Sequence, residues 1–334
     1  MSNELIPPGL TYLAGNIASR QNILGASKGH SARWAKSLDL PRRAETIFFA
    51  GCGYQFSSQL ENLMSLILQM DKSIIGTEMP IRFAIFQKKL GVDLPGVYSK
   101  ILAKDNDAEA QPLKAAVKIL RSCGVEFGYL AEDEPCCGAP LYHAGLHKDF
   151  SRNARQAYDK LKSLGVKRVI SIVPACTHTL LRLFPSYVNN FDLEIKPFLE
   201  IVSENISSRK LRFPGEAKVT YHDPCQLARY LRLIDEPRQI LRLIKGLELV
   251  ETEWTRGELA TCCGGGGGFE AVFPELSHIL AVNRARELAE TGADIIVTHC
   301  PGCIMQLKQG LKAAKASNIE VLDLTQIIAM SLEG

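Results

Sequence analysis

The stretch "IIVTHCPGCIMQL", residues 295–307, joins a β-branched run to a helical pattern and carries two cysteines at the join. The run predicts a buried strand, and Pro301 suits the first helical position because no N–H is needed there. Cys300 then lies at the turn, and Cys303 lies one helical turn further on the same face. Free N–H groups and the positive end of the helix dipole favour thiolate over thiol here.

A similar junction occurs in "KVTYHDPCQLARYL", residues 218–231. A strand is expected over 218–221, followed by Asp223 as an N-cap. Pro224 then opens a helix and places Cys225 in its first turn. Because parallel α/β sheets bind ligands outside the carboxyl ends of their strands, we expect the cysteines of this half to meet at one edge of a sheet.

Nine of the ten cysteines form two similar series. The second series has 36 residues between positions 225 and 262 and another 36 between 263 and 300. In the first series Thr179 stands where the last cysteine is expected. The first series is Cys52, Cys136, Cys137 and Cys176, and the second is Cys225, Cys262, Cys263, Cys300 and Cys303. This repeat indicates an internal duplication.

Strand and helix patterns alternate in both halves, which predicts an α/β fold of two duplicated domains with largely parallel sheets. Their metal sites are expected at strand carboxyl ends and helix N-termini. The first domain is expected at 44–208 and the second at 215–334, with a linker at 207–217. Residues 1–43 read as a linker-like segment. Residues 59–112 read as a helical insertion, either a structural cover for the sheet or a docking surface or cap.

Two adjacent cysteines precede five glycines in "CCGGGGG", residues 262–268. Neighbouring cysteines make a strained disulfide, so a shared metal cluster explains the pair better. We expect Gly264, Gly265 and Gly266 to bind the cofactor, because glycine allows positive φ angles and its N–H groups can donate to sulfur. The bare backbone would also leave the site open to a substrate. The alternative interpretation is a flexible surface loop beside two buried cysteines.

The composition is that of a globular protein, with 334 residues, 46% hydrophobic and 22% charged. A net charge of +3 is too small to indicate a nucleic-acid partner. No apolar stretch approaches the ~20 residues of a transmembrane helix, and no secretory signal is recognisable. We therefore expect a cytoplasmic protein without a transmembrane segment. In that reducing compartment, cysteines serve as metal ligands or redox groups more often than as disulfides.

Four stretches together resemble one known family: "EPCCGAP", "TYHDPCQLARY", "CCGGGGG" and "THCPGC". They are similar to the CCG-domain proteins, which include the catalytic subunits of heterodisulfide reductases and related Fe–S oxidoreductases. The resemblance extends from about Cys52 to Leu332. It implies that a complete five-cysteine set binds a noncubane [4Fe–4S] cluster that attacks disulfides. The matching residues are Cys225, Cys262, Cys263, Cys300 and Cys303.

The first half departs from the family pattern at Thr179. Three interpretations stay open for its four cysteines: they bind a cluster, they bind zinc, or they bind no metal. Thr179 and His178 are candidates for an additional ligand contact at this site. Longer relatives carry an N-terminal ferredoxin segment, whereas residues 1–51 here contain no cysteine. The resemblance therefore implies a ferredoxin-like or flavin partner subunit that donates electrons.

Several residues near the cysteines have a structural and a functional interpretation. His222 and His299 each precede a cysteine and are candidate proton donors to a leaving thiolate, the alternative being ordinary loop hydrogen bonds. His143 has the same two interpretations, and Cys123 is expected to be a small buried apolar residue.

Three functions are consistent with these residues. The first is redox chemistry on a disulfide or thiol substrate at the second-half cluster. The second is an electron relay between a flavoprotein and a quinone or another Fe–S protein. The third is a structural subunit held by zinc. The sequence does not identify the substrate.

Overall fold

The computed structural model describes residues 6–57, 59–62 and 111–332. Helices surround two separate sheets, and every strand pairing within the two sheets is parallel. The predicted α/β fold with parallel sheets is therefore confirmed.

The first sheet has three strands in the order β1-β2-β3. They are β1 (Thr46–Phe49), β2 (Arg168–Ser171) and β3 (Glu194–Pro197). A parallel bridge between Ile47 and Gly128 extends the sheet beyond β1. Three of the four residues in β1 and in β2 are buried, as expected for strands that are covered on both faces.

The second sheet has the order β5-β4-β6-β7. Its strands are β4 (Arg212–Tyr221), β5 (Lys245–Leu249), β6 (Ile295–Thr298) and β7 (Glu320–Asp323). Strand β4 takes the place that β1 has in the first sheet, β6 that of β2 and β7 that of β3, while β5 corresponds to the bridge at Gly128. The duplication read from the cysteines is thus also a duplication of topology.

The predicted linker at 207–217 is wrong in its second part, because β4 already begins at Arg212. The Lys245 N–H donates to the carbonyl of Leu211 at 3.1 Å, and the register with β5 shifts before Ala217. Pro214 lies within this irregularity, where its missing N–H does not interrupt the ladder. The proline and the following glycine resemble a loop signal, although pairing with β5 continues on both sides of them.

The α-helices of the described residues are α1 (Pro8–Arg20), α2 (Lys28–Ser31), α3 (Gly51–Gln55), α4 (Gln111–Ser122), α5 (Ala139–His143), α6 (His147–Ser163), α7 (Pro174–His178), α8 (Phe184–Tyr187), α9 (Phe198–Asn205), α10 (Asp235–Leu243), α11 (Phe269–Val272), α12 (Pro274–Ala289), α13 (Pro301–Ala313) and α14 (Leu324–Ser331). Two π-helical turns, Thr179–Leu183 and Gln226–Leu231, follow Cys176 and Cys225. The linker-like segment 1–43 thus contains helix α1. Most of the predicted insertion at 59–112 lies outside the described residues, and the domain boundaries stay predictions.

One hydrophobic core joins the two sheets. It contains Phe48 of β1, Ile170 of β2, Val219 of β4 and Ile327 of α14. Helix α4 packs against α14, and the Thr325 hydroxyl donates to the carbonyl of Pro112 at 3.1 Å. The two halves therefore bury apolar surface against each other as well as within themselves.

The carboxyl ends of four strands lead directly into cysteine-bearing turns. β1 is followed by α3, β2 by α7, β4 by a π-helical turn and β6 by α13. The cysteines in these turns are Cys52, Cys176, Cys225 and Cys300, respectively. None of the helices in the described part of the chain has the length and apolar content needed to span a bilayer.

Candidate metal centres

The five cysteines of the second half converge at the end of the second sheet. Cys263 and Cys303 lie with their sulfurs 3.2 Å apart, which is too far for a disulfide and close enough for a shared metal site. Cys263 raises the pKa of Cys262, and Cys263 and Cys300 raise that of Cys303, because these thiols lie close to one another. Cys225 is electrostatically coupled to both Cys300 and Cys263. The fold thus brings thiols from distant segments of the chain together.

Exposure differs strongly among these five thiols. Cys263 and Cys303 are buried, Cys225 and Cys300 are partly exposed, and Cys262 is exposed. The neighbouring thiols of Cys262 and Cys303 hold the pKa of Cys263 well below its usual range, whereas burial raises the pKa of Cys225 to about 11. The five cysteines thus form a group that is buried on one side and reached by solvent on the other.

The glycines after Cys263 are required for two different reasons. Gly264 has φ +85°, and a Cβ there would lie 2.3 Å from the carbonyl oxygen of Ser277 on α12. Its N–H donates to the sulfur of Cys262 at 3.3 Å. Gly265 has no positive φ, but a Cβ there would lie 2.8 Å from Gln306. Close packing, rather than flexibility, explains these two glycines.

Gly266, Gly267 and Gly268 make contacts away from the cysteine sulfurs. The N–H of Gly266 donates to the Glu270 carboxylate at 2.9 Å and not to sulfur, because the loop has turned outward by that point. Gly267 packs against His143 of the first half, and Gly268 against Leu10 of α1. The open face expected for this loop is therefore restricted to Gly266, where a Cβ would meet nothing within 4 Å.

The four cysteines of the first half also meet. The sulfurs of Cys137 and Cys176 are 3.1 Å apart. Cys137 raises the pKa of Cys136, and Cys136 raises that of Cys52, because these thiols lie close to one another. The Gly138 N–H donates to Cys136 at 3.4 Å, which repeats the bond from Gly264 to Cys262. Both halves therefore build the cysteine pair in the same way.

The first-half site is more enclosed than the second, with Cys136, Cys137 and Cys176 all buried. Glu134 holds the turn that carries Cys52, since its carboxylate accepts the N–H groups of Ala50 and Gly51 at 2.8 and 2.9 Å. Burial raises the pKa of this carboxyl to about 8. Sequence reasoning did not select Glu134, although its place two residues before the cysteine pair was the available signal.

The N-terminal segment contributes to the same site. The Cys136 N–H donates to the side-chain oxygen of Gln21 at 3.2 Å, directly after the end of α1. Gln21 also donates to Asn153 of α6 at 3.5 Å. The segment predicted as linker-like therefore helps to hold the first cysteine pair, and no motif in the sequence indicated this.

Thr179 and His178, the candidates for an additional contact in the first half, are engaged elsewhere. The Thr179 hydroxyl donates to the carbonyl of Ala175 at 2.7 Å, within its own helix. The His178 ring packs against Tyr230 of the second half, with ring centroids 4.8 Å apart. Neither of these contacts involves any of the four thiols.

The two candidate proton donors have different surroundings. His222 is buried, and its Nδ1 accepts a hydrogen bond from Arg284 Nε at 3.1 Å. A ring nitrogen of His222 lies within 4.8 Å of the sulfurs of Cys263 and Cys303. His299 is also buried, and its Nδ1 lies 3.3 Å from Asp323, while its Nε2 has no partner. Sequence reasoning missed both Arg284 and Asp323, because neither belongs to a cysteine motif.

Three other predicted residues are also located. Asp223 does not cap a helix; its carboxylate is bound by Arg238 through two hydrogen bonds of 2.8 Å, which leaves it turned away from the helix start. Cys123 packs against the core outside both sites, but it is only partly buried, whereas a buried residue was expected. His143 lies 3.4 Å from Gln226, between the two halves.

The two cysteine sites adjoin each other. A Cβ at Gly53, next to Cys52, would lie 2.9 Å from Pro301, which stands between Cys300 and Cys303. Tyr54, on the same turn, donates to the Asp323 carboxylate that also faces His299. The first-half site and the second-half site are therefore linked by direct packing and by a buried hydrogen-bond network.

Comparisons with known proteins agree with this arrangement. The cysteine-rich CCG domain matches residues 102–181 and 219–308, which contain eight of the nine cysteines in the two series and leave out Cys52. A crystal structure of a hypothetical protein from Helicobacter pylori superposes with a TM-score of 0.51 at 18% identity, over 67% of this chain and 46% of that one. This likeness concerns the fold alone.

Several curated proteins are similar in sequence. One subunit of the dihydromethanophenazine:CoB–CoM heterodisulfide reductase from Methanosarcina barkeri is 32% identical over 65% of this chain and 54% of its own length. One subunit of the fumarate reductase (CoM/CoB) from Methanothermobacter marburgensis is 30% identical over 65% of this chain and 42% of its own. EtfAB:quinone oxidoreductase from Syntrophomonas wolfei is 31% identical over 66% of this chain and 32% of its own.

This chain thus spans about half of the first of these relatives and less of the other two. Two copies of the domain cover half of the chain, and each copy contains the cysteine pair that the structure builds around a glycine N–H. The proteins that this chain resembles in sequence include oxidoreductase subunits, and the chain belongs to the cysteine-rich CCG domain family.

Proposed function

We propose that this chain is an iron–sulfur oxidoreductase subunit of the heterodisulfide-reductase type, which reduces or forms disulfides at a cluster held by its second half. The observation that carries the proposal is the convergence of five thiols, of which Cys262 is exposed and Cys263 and Cys303 are buried. The buried cysteines would retain a cofactor, while the exposed side of the site gives a substrate access to it.

The donor set fits an iron–sulfur cluster. Five cysteines exceed the four ligands of tetrahedral zinc or a cubane cluster, which supports the noncubane [4Fe–4S] type. The ligands proposed are Cys225, Cys262, Cys263, Cys300 and Cys303. When bound, such a cluster supplies one-electron redox chemistry and iron sites with affinity for sulfur.

The surrounding residues have defined tasks in this proposal. The Gly264 N–H donates to Cys262, and such bonds to ligand sulfur raise a reduction potential. Glycines at 264 and 265 let the backbone approach α12 and α13 closely, which keeps the cysteine pair in place. Asp323 orients His299, whose unpartnered Nε2 is the atom we assign to proton delivery.

The proposal also covers the electron-donating partner and the first-half cysteines of this chain. Electrons come from a ferredoxin-like or flavin partner subunit, and relatives that are named as subunits of larger enzymes are consistent with a partner. The four thiols of the first half, three of them buried, bind a second cluster or zinc, both of which accept four cysteine ligands.

A relay function is the second candidate, and the packing of Gly53 against Pro301 favours it. This contact places the two cysteine sites side by side, as electron transfer between two centres requires. A relative named EtfAB:quinone oxidoreductase is consistent with such a role. In a relay, the second-half site would pass electrons on without binding a substrate sulfur.

The deciding experiment starts with anaerobic reconstitution and analysis of iron, sulfide and zinc. Iron and sulfide in equal amounts support the cluster, whereas zinc alone would overturn the redox proposal in favour of a structural subunit. Oxidation with a thiol or disulfide present should alter the paramagnetic spectrum if the site is catalytic. An unaltered spectrum favours the relay.

Cys303→Ser tests the ligand assignment, because it removes a buried sulfur that contacts Cys263. We expect the second-half cluster signal to disappear. Cys123→Ser is the matched control, since Cys123 lies outside both sites, and it should retain the full signal. A cluster signal that survives Cys303→Ser unchanged would show that the ligands are assigned wrongly.

A further inference from the structure

We propose that Arg284 sets the tautomer of His222, so that His222 donates a hydrogen bond from Nε2 to the sulfur of Cys263 and is not itself a metal ligand. Arg284 is then a positioning residue for the second-half site. The effect on a cluster potential rests on the proposed function above, whereas the tautomer itself does not.

Arg284 lies on α12 with its side chain fully buried. Its Nε donates to His222 Nδ1 at 3.1 Å. Its Nη1 donates to the Thr255 hydroxyl at 3.1 Å and to the Glu287 carboxylate at 2.7 Å. Its Nη2 is buried without a partner. The bonds of Nη1 to Thr255 and Glu287 thus fix the guanidinium in the orientation that directs Nε at His222.

The direction of the bond determines where the ring proton is. A guanidinium has five donors and no acceptor, so the nitrogen that faces Arg284 Nε must offer a lone pair. Neutral imidazole carries its proton on the other nitrogen, which places the proton of His222 on Nε2. Nδ1 is occupied by Arg284, so Nε2 is the nitrogen left for the sulfurs of Cys263 and Cys303.

A protonated Nε2 is a donor and has no lone pair for a metal. His222, Cys263 and Cys303 lie close enough to suggest a three-ligand site, but Arg284 removes the histidine from that set. What His222 then offers is an N–H donor, which we assign to Cys263, the more buried thiol of the adjacent pair. Hydrogen bonds to ligand sulfur are a principal control of iron–sulfur potentials.

The first test reads the tautomer without any cluster. Nitrogen-15 spectra of histidine-labelled, metal-free protein should show His222 with its proton on Nε2, and a His222→Gln sample identifies its signals. In Arg284→Met the ring should shift toward the Nδ1–H tautomer. A proton on Nδ1 in the unaltered protein would overturn the proposal, whatever the fate of the redox function.

The second test is a mutant cycle on the midpoint potential of the reconstituted cluster. His222→Leu and Arg284→Met should both shift the potential to more negative values. His222→Gln should stay near the unaltered protein, because its amide keeps an N–H at the place of Nε2. Adding Arg284→Met to His222→Gln should then change little. A full negative shift in that double variant would show that the arginine charge acts directly, which contradicts the proposal.

Arg284→Lys provides a second variant if Arg284→Met does not fold. It keeps the positive charge but cannot place a donor as Nε does, so it should reproduce the negative shift. A lysine variant with an unaltered potential and unaltered His222 tautomer would contradict the proposal. Iron content and circular dichroism of every variant establish that the compared proteins are folded and loaded equally.

Discussion

Gly264 decides how closely the cysteine pair of the second half approaches its supporting helix. Its φ of +85° and the 2.3 Å separation between a Cβ and the Ser277 carbonyl exclude any other residue without rearrangement. The Ser277 hydroxyl in turn donates to the Gly264 carbonyl at 2.7 Å. A single missing side chain therefore locks the loop of Cys262 and Cys263 to α12.

Gly264→Ala should destabilise the metal-free protein by more than about 2 kcal/mol, because backbone strain and a collision with backbone add together. The cluster content should fall with it. Gly292→Ala is the matched control: its φ is also positive, at +72°, but a Cβ there meets nothing within 4 Å. Gly292→Ala should lower the free energy of unfolding by only about 1 kcal/mol. Equal losses in denaturant titrations of the two variants would refute the packing argument.

At the scale of elements, Asp223 ties three segments together behind Cys225. Its carboxylate accepts two bonds of 2.8 Å from Arg238 of α10 and another of 2.8 Å from the Gly257 N–H. Both charged side chains are nearly inaccessible, at 1% and 7% exposed. Arg238 is also paired with Glu251 at 2.7 Å. The end of β4, α10 and the loop before the cysteine pair thus share one buried ion-pair network.

Asp223→Ala should cost about 3 kcal/mol of unfolding free energy, the lower part of the range for breaking a buried pair, since Glu251 still neutralises Arg238. Urea titration measures this loss. Glu248→Ala is the control, because its 3.9 Å pair with Lys218 is exposed and should contribute less than about 1 kcal/mol. A loss at Asp223 as small as at Glu248 would contradict the assigned role.

The whole molecule is held together by contacts between its halves. One core extends through both sheets, and Tyr54 of the first half donates to Asp323, a fully buried residue of the second. Asp323 also accepts the Thr325 N–H at 2.8 Å and so caps α14. The cap of the last helix and the junction of the two cysteine sites therefore depend on the same carboxylate.

Tyr54→Phe should lower the unfolding free energy by about 1.5–3 kcal/mol, the range for a hydrogen bond to a charged group. Tyr158→Phe is the control, because its hydroxyl donates to Asp192 at 2.8 Å on the exposed surface and should contribute little.

The shared core also predicts that the two halves unfold together. The unfolding transition followed by Trp34 fluorescence, in a Trp254→Phe background, should coincide with the transition followed by circular dichroism. Separate transitions for the two halves would contradict the shared core.

Much of the site was predictable because its signals are local. The junction at residues 295–307 encodes its strand, its turn and its thiols in adjacent positions, and the Cys-Cys-Gly stretch encodes a bend. The start of β4 was not predictable, since Pro214 and Gly215 imitate a loop and only pairing with β5 reveals the strand. Glu134 stands beside the first cysteine pair in the sequence, but its contact with the turn of Cys52 depends on the fold. Gln21 contacts the same site from a segment without a motif.

The sequence by itself determined the α/β architecture, the duplication and the two cysteine series, because spacing and strand-to-helix order are properties of neighbouring residues. Only the tertiary structure decided that Arg284 faces His222, that Tyr54 reaches Asp323 and that the two sites adjoin at Gly53 and Pro301. Those contacts join residues far apart along the chain, and they depend on how two sheets and their helices pack.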